Sequence, residues 1–222
     1  FPAPDEAARA AMAAALDGVA ADETPVLDSL GLPAADPAHP ALARALGLIH
    51  HPTSLEPGVD QAAQAALERP LFARLARLVA TSPMTARGLP ELGADPARIG
   101  VVEPGTDPAP RATGSNEACR ILAVGSLIPR KGHDVLLRAL ARLTDPVHAA
   151  TLRALATELG LDARVAFLGA VTGEALEGEY AAADLFALAT HYEGFGMAAA
   201  EAQARGLPLA ICTGGAIAEV VG

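Results

Sequence analysis

The sequence predicts an α/β protein with two doubly wound, Rossmann-like domains, each built on a parallel β-sheet. Two observations predict this class. First, short apolar runs alternate with helical segments of about ten residues, a pattern typical of strands that helices cover on both faces. Second, a segment rich in Pro, Gly, Thr and Ser at 103–117 divides these elements into two series, as an interdomain linker would.

The first series opens with PDEAARAAMAAALDGV, an alanine-rich segment of high helix propensity. Apolar runs in this part of the chain predict strands at 45–51, 77–82 and 98–105. Helices are predicted at 58–68 and 82–92. We assign residues 1–104 to an N-terminal domain and residues 105–117 to the linker.

The second series contains more elements and follows the same alternation. Its apolar runs predict strands at 120–127, 164–171, 185–190 and 208–213. Helices are predicted at 132–143, 148–159, 173–182 and 196–205. Residues 118–222 therefore form the predicted C-terminal domain.

Two irregularities interrupt this pattern. Helix 132–143 is followed by helix 148–159 with no apolar run between them, although a parallel crossover needs a strand there. The first series also begins on a helix, without the opening strand and glycine turn of a doubly wound sheet. We expect the chain to be incomplete, with segments missing before Phe1, near Pro146–Val147 and after Gly222.

Composition narrows the classes of partner and compartment. The chain has 222 residues, is 51% hydrophobic and carries a formal net charge of −10. Such an acidic chain lacks the basic stripe that nucleic-acid binding requires. With no apolar run long enough to span a bilayer and no signal peptide at the start, we expect a cytoplasmic protein. Cys119 and Cys212 lie in apolar runs, and we expect them to be small buried residues in a reducing compartment.

An amphipathic stretch, ERPLFARLARLV, carries Arg69, Arg74 and Arg77 between leucines. Peripheral membrane contact is one interpretation of this pattern. Packing of its leucines into the first domain is the interpretation that we favour.

The segment HYEGFGMAAAEAQARG (191–206) carries the strongest functional signal. It follows a buried strand, and ligands of open α/β sheets bind outside the carboxyl ends of the strands. Gly194 and Gly196 allow close approach of the backbone, and the following helix N-terminus favours a phosphate. Glu201 could accept both hydroxyls of a ribose, and Glu193 could accept hydroxyls of a more distal group. Together these features predict a nucleotide sugar, although either glutamate alone is more often structural.

Four motifs resemble the retaining GT-B glycosyltransferases of family four, the sucrose synthase and glycogen synthase type. In chain order they are VGSLIPRKGHDVLLRAL, VAFLGAVTGEALEGEYAAADLF, EGFGMAAAE and TGGAIAEVV. The resemblance covers essentially all of 98–222. Over 1–97 it is thinner and depends on LGLIHHP and VATSPMTARGL. It implies two Rossmann-like domains facing a cleft, with the acceptor on the N-terminal side and the donor on the C-terminal side.

The resemblance also implies roles for the residues of the E-x7-E motif. Glu201 would hold the donor ribose, and Glu193 would contact the hydroxyls of the donor sugar. The main-chain amides of Phe195, Gly196 and Met197 would lie beside the diphosphate or the sugar.

Outside this motif, Lys131 would neutralise the leaving diphosphate, with Arg130 as a second candidate for the same task. The family often has an arginine after the strand glycine, where this chain has Ser126. A solvated basic turn is the alternative interpretation of PRK. Val171 falls where the main chain of the family holds the base.

Two adjacent histidines end the strand in LIHHP. The family places a histidine beside the reacting sugar at this point, and we favour His50 over His51. Packing of one ring and solvation of the other is an equally good explanation of the pair. His133 is predicted to begin a helix.

The resemblance implies a retaining transfer of a hexosyl group from a nucleoside diphosphate sugar to a hydroxyl acceptor, with His50, Lys131 and Glu193 as catalytic residues. No metal or other cofactor is expected. A non-catalytic nucleotide-sugar-binding or scaffold protein with the same fold is the alternative, and a nucleotide-sugar epimerase is a third. The base, the sugar, the acceptor and the oligomeric state stay open.

Overall fold

The computed structural model of the chain describes residues 4–56, 58–115, 119–141 and 150–221. The chain divides into two compact units, Phe1–Pro104 and Gly105–Gly222. The expected gap near Pro146–Val147 and the expected continuations before Phe1 and after Gly222 lie outside the described residues.

Both units contain α-helices and parallel strands. The α-helices are α1 (Glu6–Asp17), α2 (Gln61–Arg74), α3 (Pro83–Gly88), α4 (His133–Ala141), α5 (Ala150–Glu158), α6 (Gly173–Ala182), α7 (Met197–Ala204) and α8 (Ile217–Val220). The strands are β1 (Val26–Asp28), β2 (Leu46–Ile49), β3 (Arg77–Ala80), β4 (Ile99–Val101), β5 (Ile121–Leu122), β6 (Leu185–Leu188) and β7 (Leu209–Ile211). Short 3-10 turns occupy Leu32–Ala34, Pro40–Arg44, Thr53–Leu55, Leu89–Leu92, Pro96–Arg98 and Pro129–Lys131.

The first unit contains a parallel sheet in the order β1-β2-β3-β4. Leu46 pairs with Arg77 at one end of the β2–β3 ladder and Ile49 with Ala80 at the other. The strands predicted at 45–51, 77–82 and 98–105 are confirmed in shorter form. Strand β1 was not predicted, because its three residues are too few to show a periodic pattern.

Side-chain caps explain where the helices of the first unit begin. The carboxylates of Asp5 and Asp60 accept hydrogen bonds from amides three residues further on, and the hydroxyl of Ser82 does the same. Helix α2 extends six residues past its predicted end at 68 and contains Pro70. Leu71 and Phe72 beyond this proline are almost fully buried, so packing offsets the hydrogen bond that the proline cannot donate.

The amphipathic stretch around α2 packs as we favoured. Leu71, Leu75 and Leu78 all belong to the core of the first unit, and each is at most 2% exposed. Arg69 and Arg74 are exposed. No helix within the described ranges is long and apolar enough to cross a membrane.

The second unit contains a parallel sheet in the order β5-β6-β7. Its core includes Tyr180, Phe186 and Ile217, all with fully buried side chains. Parallel sheets within an α/β architecture are thus confirmed in both units. In each sheet the described strands follow chain order, and the reversal of order that defines a doubly wound sheet is not among the described strands.

The strand predicted at 164–171 is wrong, since this segment is irregular. Val165 and Phe167 pack against a separate cluster formed by residues of α4 and α5, and Leu168 is 51% exposed. A parallel strand needs a neighbouring strand to form its hydrogen bonds, and no described strand pairs with the segment. The missing apolar run between the two preceding helices is the physical reason.

Residues 112–115, which we predicted as linker, are hydrogen-bonded within the second unit. The amides of Thr113 and Gly114 donate to the Ala181 carbonyl, and the amide of Ser115 donates to the Asp184 carboxylate over 2.8 Å. The Arg120 amide donates to the same carboxylate over 2.7 Å. These two backbone hydrogen bonds anchor the chain to Asp184 at Ser115 and at Arg120. They also lower the pKa of the Asp184 carboxyl.

The prediction of two buried cysteines is wrong. Cys119 and Cys212 are both exposed and free. Each lies just outside a strand, Cys119 before β5 and Cys212 after β7, where the sheet no longer covers the side chain.

Candidate functional site

The site predicted from the second series lies where the strands of the second unit end. Three loops leave the carboxyl ends of β5, β6 and β7, covering residues 123–132, 189–196 and 212–216. Because the strands are parallel, these ends meet at one edge of the sheet. The loops carry most of the residues that the sequence singled out.

The turn Pro129–Lys131 packs against the end of β6. The His191 amide donates to the Arg130 carbonyl over 2.8 Å, and the Thr190 hydroxyl donates to the same oxygen over 3.0 Å. Gly132 ends the turn with a φ of 62°, and a Cβ there would lie 1.9 Å from the Ala189 carbonyl oxygen. Only glycine allows this approach, so the PRKG turn packs against the 189–196 loop.

This packing brings Lys131 and Glu193 into contact. The Lys131 ammonium forms an ion pair with the Glu193 carboxylate from 62 residues away. Their side chains are 17% and 7% exposed. Beside them the Arg130 guanidinium donates to the Tyr192 carbonyl over 3.1 Å. The solvated basic turn that we considered for PRK is therefore not what the structure shows.

The glycine pair of the third loop holds the main chain of Glu193. The Glu193 amide donates to the Gly214 carbonyl over 3.0 Å, and the Ala216 amide donates to the Glu193 carbonyl over 2.8 Å. A Cβ on Gly215, where φ is 80°, would lie 2.2 Å from the Glu193 carbonyl oxygen. The glycines of the motif TGGAIAEVV thus position the main chain of Glu193.

Helix α7 begins directly after this loop. Gly194 and Gly196 are buried, Phe195 is half-buried and Met197 is exposed. The amides of Ala199 and Ala200 donate to the Gly196 carbonyl, which starts the helix. The amides ahead of this first turn and the positive end of the helix dipole offer a place for an anion.

Glu201, in the second turn of α7, has surroundings different from those of Glu193. The Tyr180 hydroxyl of α6 donates to Glu201 Oε2 over 2.9 Å. The Arg205 guanidinium lies 4.5 Å from the centroid of the Tyr180 ring and donates to the main-chain oxygen of Glu201 over 2.8 Å. Sequence analysis missed Tyr180, whose signal was that of a lone aromatic residue on α6.

The remaining predicted positions lie around the first loop and before α6. Ser126 is exposed, and its carbonyl accepts hydrogen bonds from the Ile128 amide and from His133 Nε2 over 2.9 and 3.1 Å. As predicted, His133 begins a helix. Burial, together with the Lys131 ammonium, lowers the pKa of His133. Val171 lies in the irregular segment before α6, not at a strand end as predicted.

The two adjacent histidines that follow β2 in the first unit have different partners. His50 Nε2 lies 2.8 Å from Asp28 Oδ2, and the ring is 42% exposed. Burial alone would raise the pKa of Asp28, but hydrogen bonds from the Leu30 amide and His50 outweigh it and lower the pKa. His51 Nε2 contacts Glu56 Oε1, and the His51 side chain is 13% exposed. His50 is the more accessible of the two rings.

Comparison with solved structures defines the class of fold. HepE from Anabaena, solved in complex with UDP, matches 97% of this chain and 65% of its own with a TM-score of 0.69 and 20% identity. Sucrose-phosphate synthase from Thermosynechococcus elongatus matches 77% of this chain and 50% of its own with a TM-score of 0.66 and 23% identity. The fold is therefore that of GT-B glycosyltransferases.

Sequence comparison gives the family. The family model for glycosyl transferases group 1 matches residues 109–222, which is more than half of the chain. The chain belongs to this family. The resemblance drawn from the four motifs is thereby confirmed.

Two similar curated proteins share one name. The D-inositol 3-phosphate glycosyltransferase of Nocardia farcinica is 36% identical over 185 residues, covering 69% of this chain and 41% of the relative. The enzyme of that name from Mycolicibacterium gilvum is 41% identical over 159 residues, covering 60% and 36%. The chain thus spans about two fifths of the length of these relatives.

Proposed function

We propose that this chain is part of a retaining glycosyltransferase that moves a hexosyl group from a nucleoside diphosphate sugar to a hydroxyl acceptor. The observation that carries the proposal is the contact between Lys131 and Glu193 beside the start of α7. At this contact a cation, a carboxylate and the start of a helix lie at one edge of a parallel sheet.

Each part of the donor has a group to bind it in this proposal. The diphosphate lies by the amides at Gly194–Met197 and by the Lys131 ammonium, with Arg130 adding positive charge. The ribose hydroxyls donate to Glu201, and the hydroxyls of the transferred sugar donate to Glu193. Main-chain groups near Val171 are the proposed contact of the base.

The ion pair between Lys131 and Glu193 changes its role when the donor binds. Without a ligand the two charges compensate each other in a largely buried position. A diphosphate brings a stronger negative charge, which attracts the ammonium and leaves the Glu193 oxygens to accept sugar hydroxyls. Binding of the diphosphate would thereby prepare the site for the sugar.

The proposed reaction needs no protein nucleophile. The departing diphosphate takes the bonding electron pair from the anomeric carbon and receives the proton of the attacking hydroxyl on the same face of the sugar. Lys131 and the helix amides stabilise the growing negative charge, so catalysis is positioning plus electrostatics. We propose no metal cofactor, because these groups already neutralise the leaving group.

Of the two histidines, His50 is the proposed substrate contact. Its ring is 42% exposed, whereas the ring of His51 is 13% exposed and pairs with Glu56. The proposed compartment is the cytoplasm, where free thiols such as Cys119 and Cys212 persist.

The names of similar proteins suggest the first substrates to test. Solved neighbours bind UDP and UDP-glucose, and curated relatives are named for D-inositol 3-phosphate. We propose UDP sugars as the first donors and an inositol phosphate as the first acceptor. A screen of transfer from uridine, guanosine and adenosine diphosphate sugars, followed by product chromatography, tests both, and retention at the anomeric carbon is read from the coupling constant of the product.

One observation favours the alternative of a non-catalytic nucleotide-sugar-binding protein. Ser126 is exposed and occupies the position where the family often has an arginine, so one leaving-group cation is replaced by a neutral side chain. Donor binding without transfer to any acceptor would support this alternative and contradict the proposed transferase. Isomerisation of the donor without an acceptor would instead indicate an epimerase.

A further inference from the structure

Tyr180 makes a contact that the proposed chemistry does not yet use. Its side chain is fully buried in α6, and its hydroxyl lies 2.9 Å from Glu201 Oε2 and 3.3 Å from the Ala198 carbonyl. A phenol has one proton to donate. The shorter distance and the negative charge direct that proton to the carboxylate.

The surroundings of Tyr180 keep it a donor. Burial, and then the adjacent Glu201 carboxylate, raise the pKa of the phenol well above its usual value. The hydroxyl therefore stays protonated at neutral pH. One lone pair of Oε2 is permanently occupied, while Oε1 and the second lone pair of Oε2 can accept from a ligand.

Arg205 stacks on the Tyr180 ring and pairs with the Glu177 carboxylate. Its guanidinium forms hydrogen bonds of 2.5 and 2.6 Å to the Glu177 carboxylate while it stacks on Tyr180. Towards Glu201 it donates to the main-chain oxygen. Among the described hydrogen bonds, the partner of the Glu201 side chain is therefore a neutral hydroxyl.

We infer that Tyr180 is a positioning residue that orients the Glu201 carboxylate toward the two hydroxyls of a ribose and thereby sets the preference for ribonucleotides over 2′-deoxyribonucleotides. The inference rests on the proposed function, in which Glu201 binds the ribose. A glutamate on a helix has several side-chain rotamers, and a buried hydrogen bond to one oxygen selects among them. Accepting two hydroxyls at once requires that selection, whereas accepting one does not.

Tyr180→Phe removes only the hydroxyl and keeps the ring that stacks on Phe186 and Arg205. The probes are the ribo and 2′-deoxy forms of uridine, guanosine and adenosine diphosphate, with dissociation constants from titration calorimetry. We expect Tyr180→Phe to weaken binding of the ribo form about five- to thirtyfold and to leave binding of the deoxy form nearly unchanged. The ribo-to-deoxy preference falls by the same factor.

Two further variants separate positioning from packing. Phe186→Leu disturbs the same core, with ring centroids 6.4 Å apart, but leaves the hydroxyl in place. It should lower Tm and keep the wild-type preference. Tyr180→Phe combined with Glu201→Ala should match Glu201→Ala alone, because a residue that acts through Glu201 has no effect without it.

The outcomes distinguish this inference from the proposed function. If Glu201→Ala abolishes the ribo preference and Tyr180→Phe retains it, the inference is wrong and the ribose site stands. The inference is also wrong if Phe186→Leu lowers the preference as much as Tyr180→Phe, or if the double variant binds more weakly than Glu201→Ala. If Glu201→Ala itself keeps the ribo preference, or no probe binds the wild-type protein, both the ribose site and the inference are wrong.

Discussion

The two glutamates on either side of Gly196 have opposite electrostatic surroundings. Glu193 is buried against the Lys131 ammonium, so its charge is compensated within the protein. Glu201 meets the neutral Tyr180 hydroxyl, while the nearby Arg205 guanidinium is held by Glu177. In the proposed function, a ligand releases the first carboxylate from its ammonium, whereas the second can accept hydroxyls without such a step.

The largest effect is expected from removing the cation. Lys131→Ala should lower kcat of transfer about 10²- to 10³-fold, since the leaving diphosphate loses its ammonium. Lys131→Arg keeps the charge and should retain more activity than Lys131→Ala. Steady-state kinetics at saturating donor give the values, and unchanged transfer by Lys131→Ala would show that Lys131 has no part in the chemistry.

A change behind Glu193 tests whether its position, and not only its charge, matters. Gly215→Ala places a Cβ against the Glu193 carbonyl at a φ of 80°, so we expect a loss of about 2–3 kcal/mol in the free energy of unfolding together with weaker transfer. Gly178→Ala is the matched control, because a Cβ there meets nothing within 4 Å. It should be neutral or stabilise by up to about 1 kcal/mol in urea unfolding.

Removing the other carboxylate should affect binding instead of the chemical step. Glu201→Ala should raise the dissociation constant of the donor about 10- to 100-fold, because two hydroxyl hydrogen bonds to a charged acceptor are lost. Glu174→Ala, on the exposed start of α6, is the control with the same change in net charge. Equal affinity of Glu201→Ala and the wild-type protein would remove Glu201 from the site.

Asp184 extends the comparison to a carboxylate that main-chain amides hold. Its pKa is lowered in the folded state by hydrogen bonds from the Arg120 and Ser115 amides. The resulting stability is present above the unfolded pKa of about 3.8 and is lost as the pH falls through the lower folded value. Asp184→Asn should therefore give a flatter loss of stability below about pH 4, measured by circular dichroism during acid titration. An unchanged acid profile would contradict this account.

Much of the fold could be predicted because the apolar runs of buried strands are local features. The core strands β2, β3, β6 and β7 each lie inside a predicted run. The prediction of a strand at 164–171 was wrong although its run is equally apolar, since a strand also requires a neighbouring strand in the sheet. The predicted burial of Cys119 and Cys212 was wrong for a related reason. An apolar run does not show at which residue the strand begins or ends, and both cysteines lie outside the strands.

The candidate site divides in the same way. The segment from Glu193 to Glu201 could be predicted because a strand, a glycine turn and a helix are contiguous in the chain. No role could be assigned to Tyr180 and Gly215 from the sequence, because their contacts join separate loops and helices.

By itself the sequence determined most of the strands and helices, the family motifs and the charged residues that these motifs contain. These depend on the order of side chains along a single segment. Only the tertiary structure decided that Lys131 meets Glu193 across 62 residues and that Tyr180, not a cation, meets Glu201. Parallel strand pairing brings distant loops to one edge of the sheet, and the side chains that converge there depend on which strands are neighbours and where each one ends.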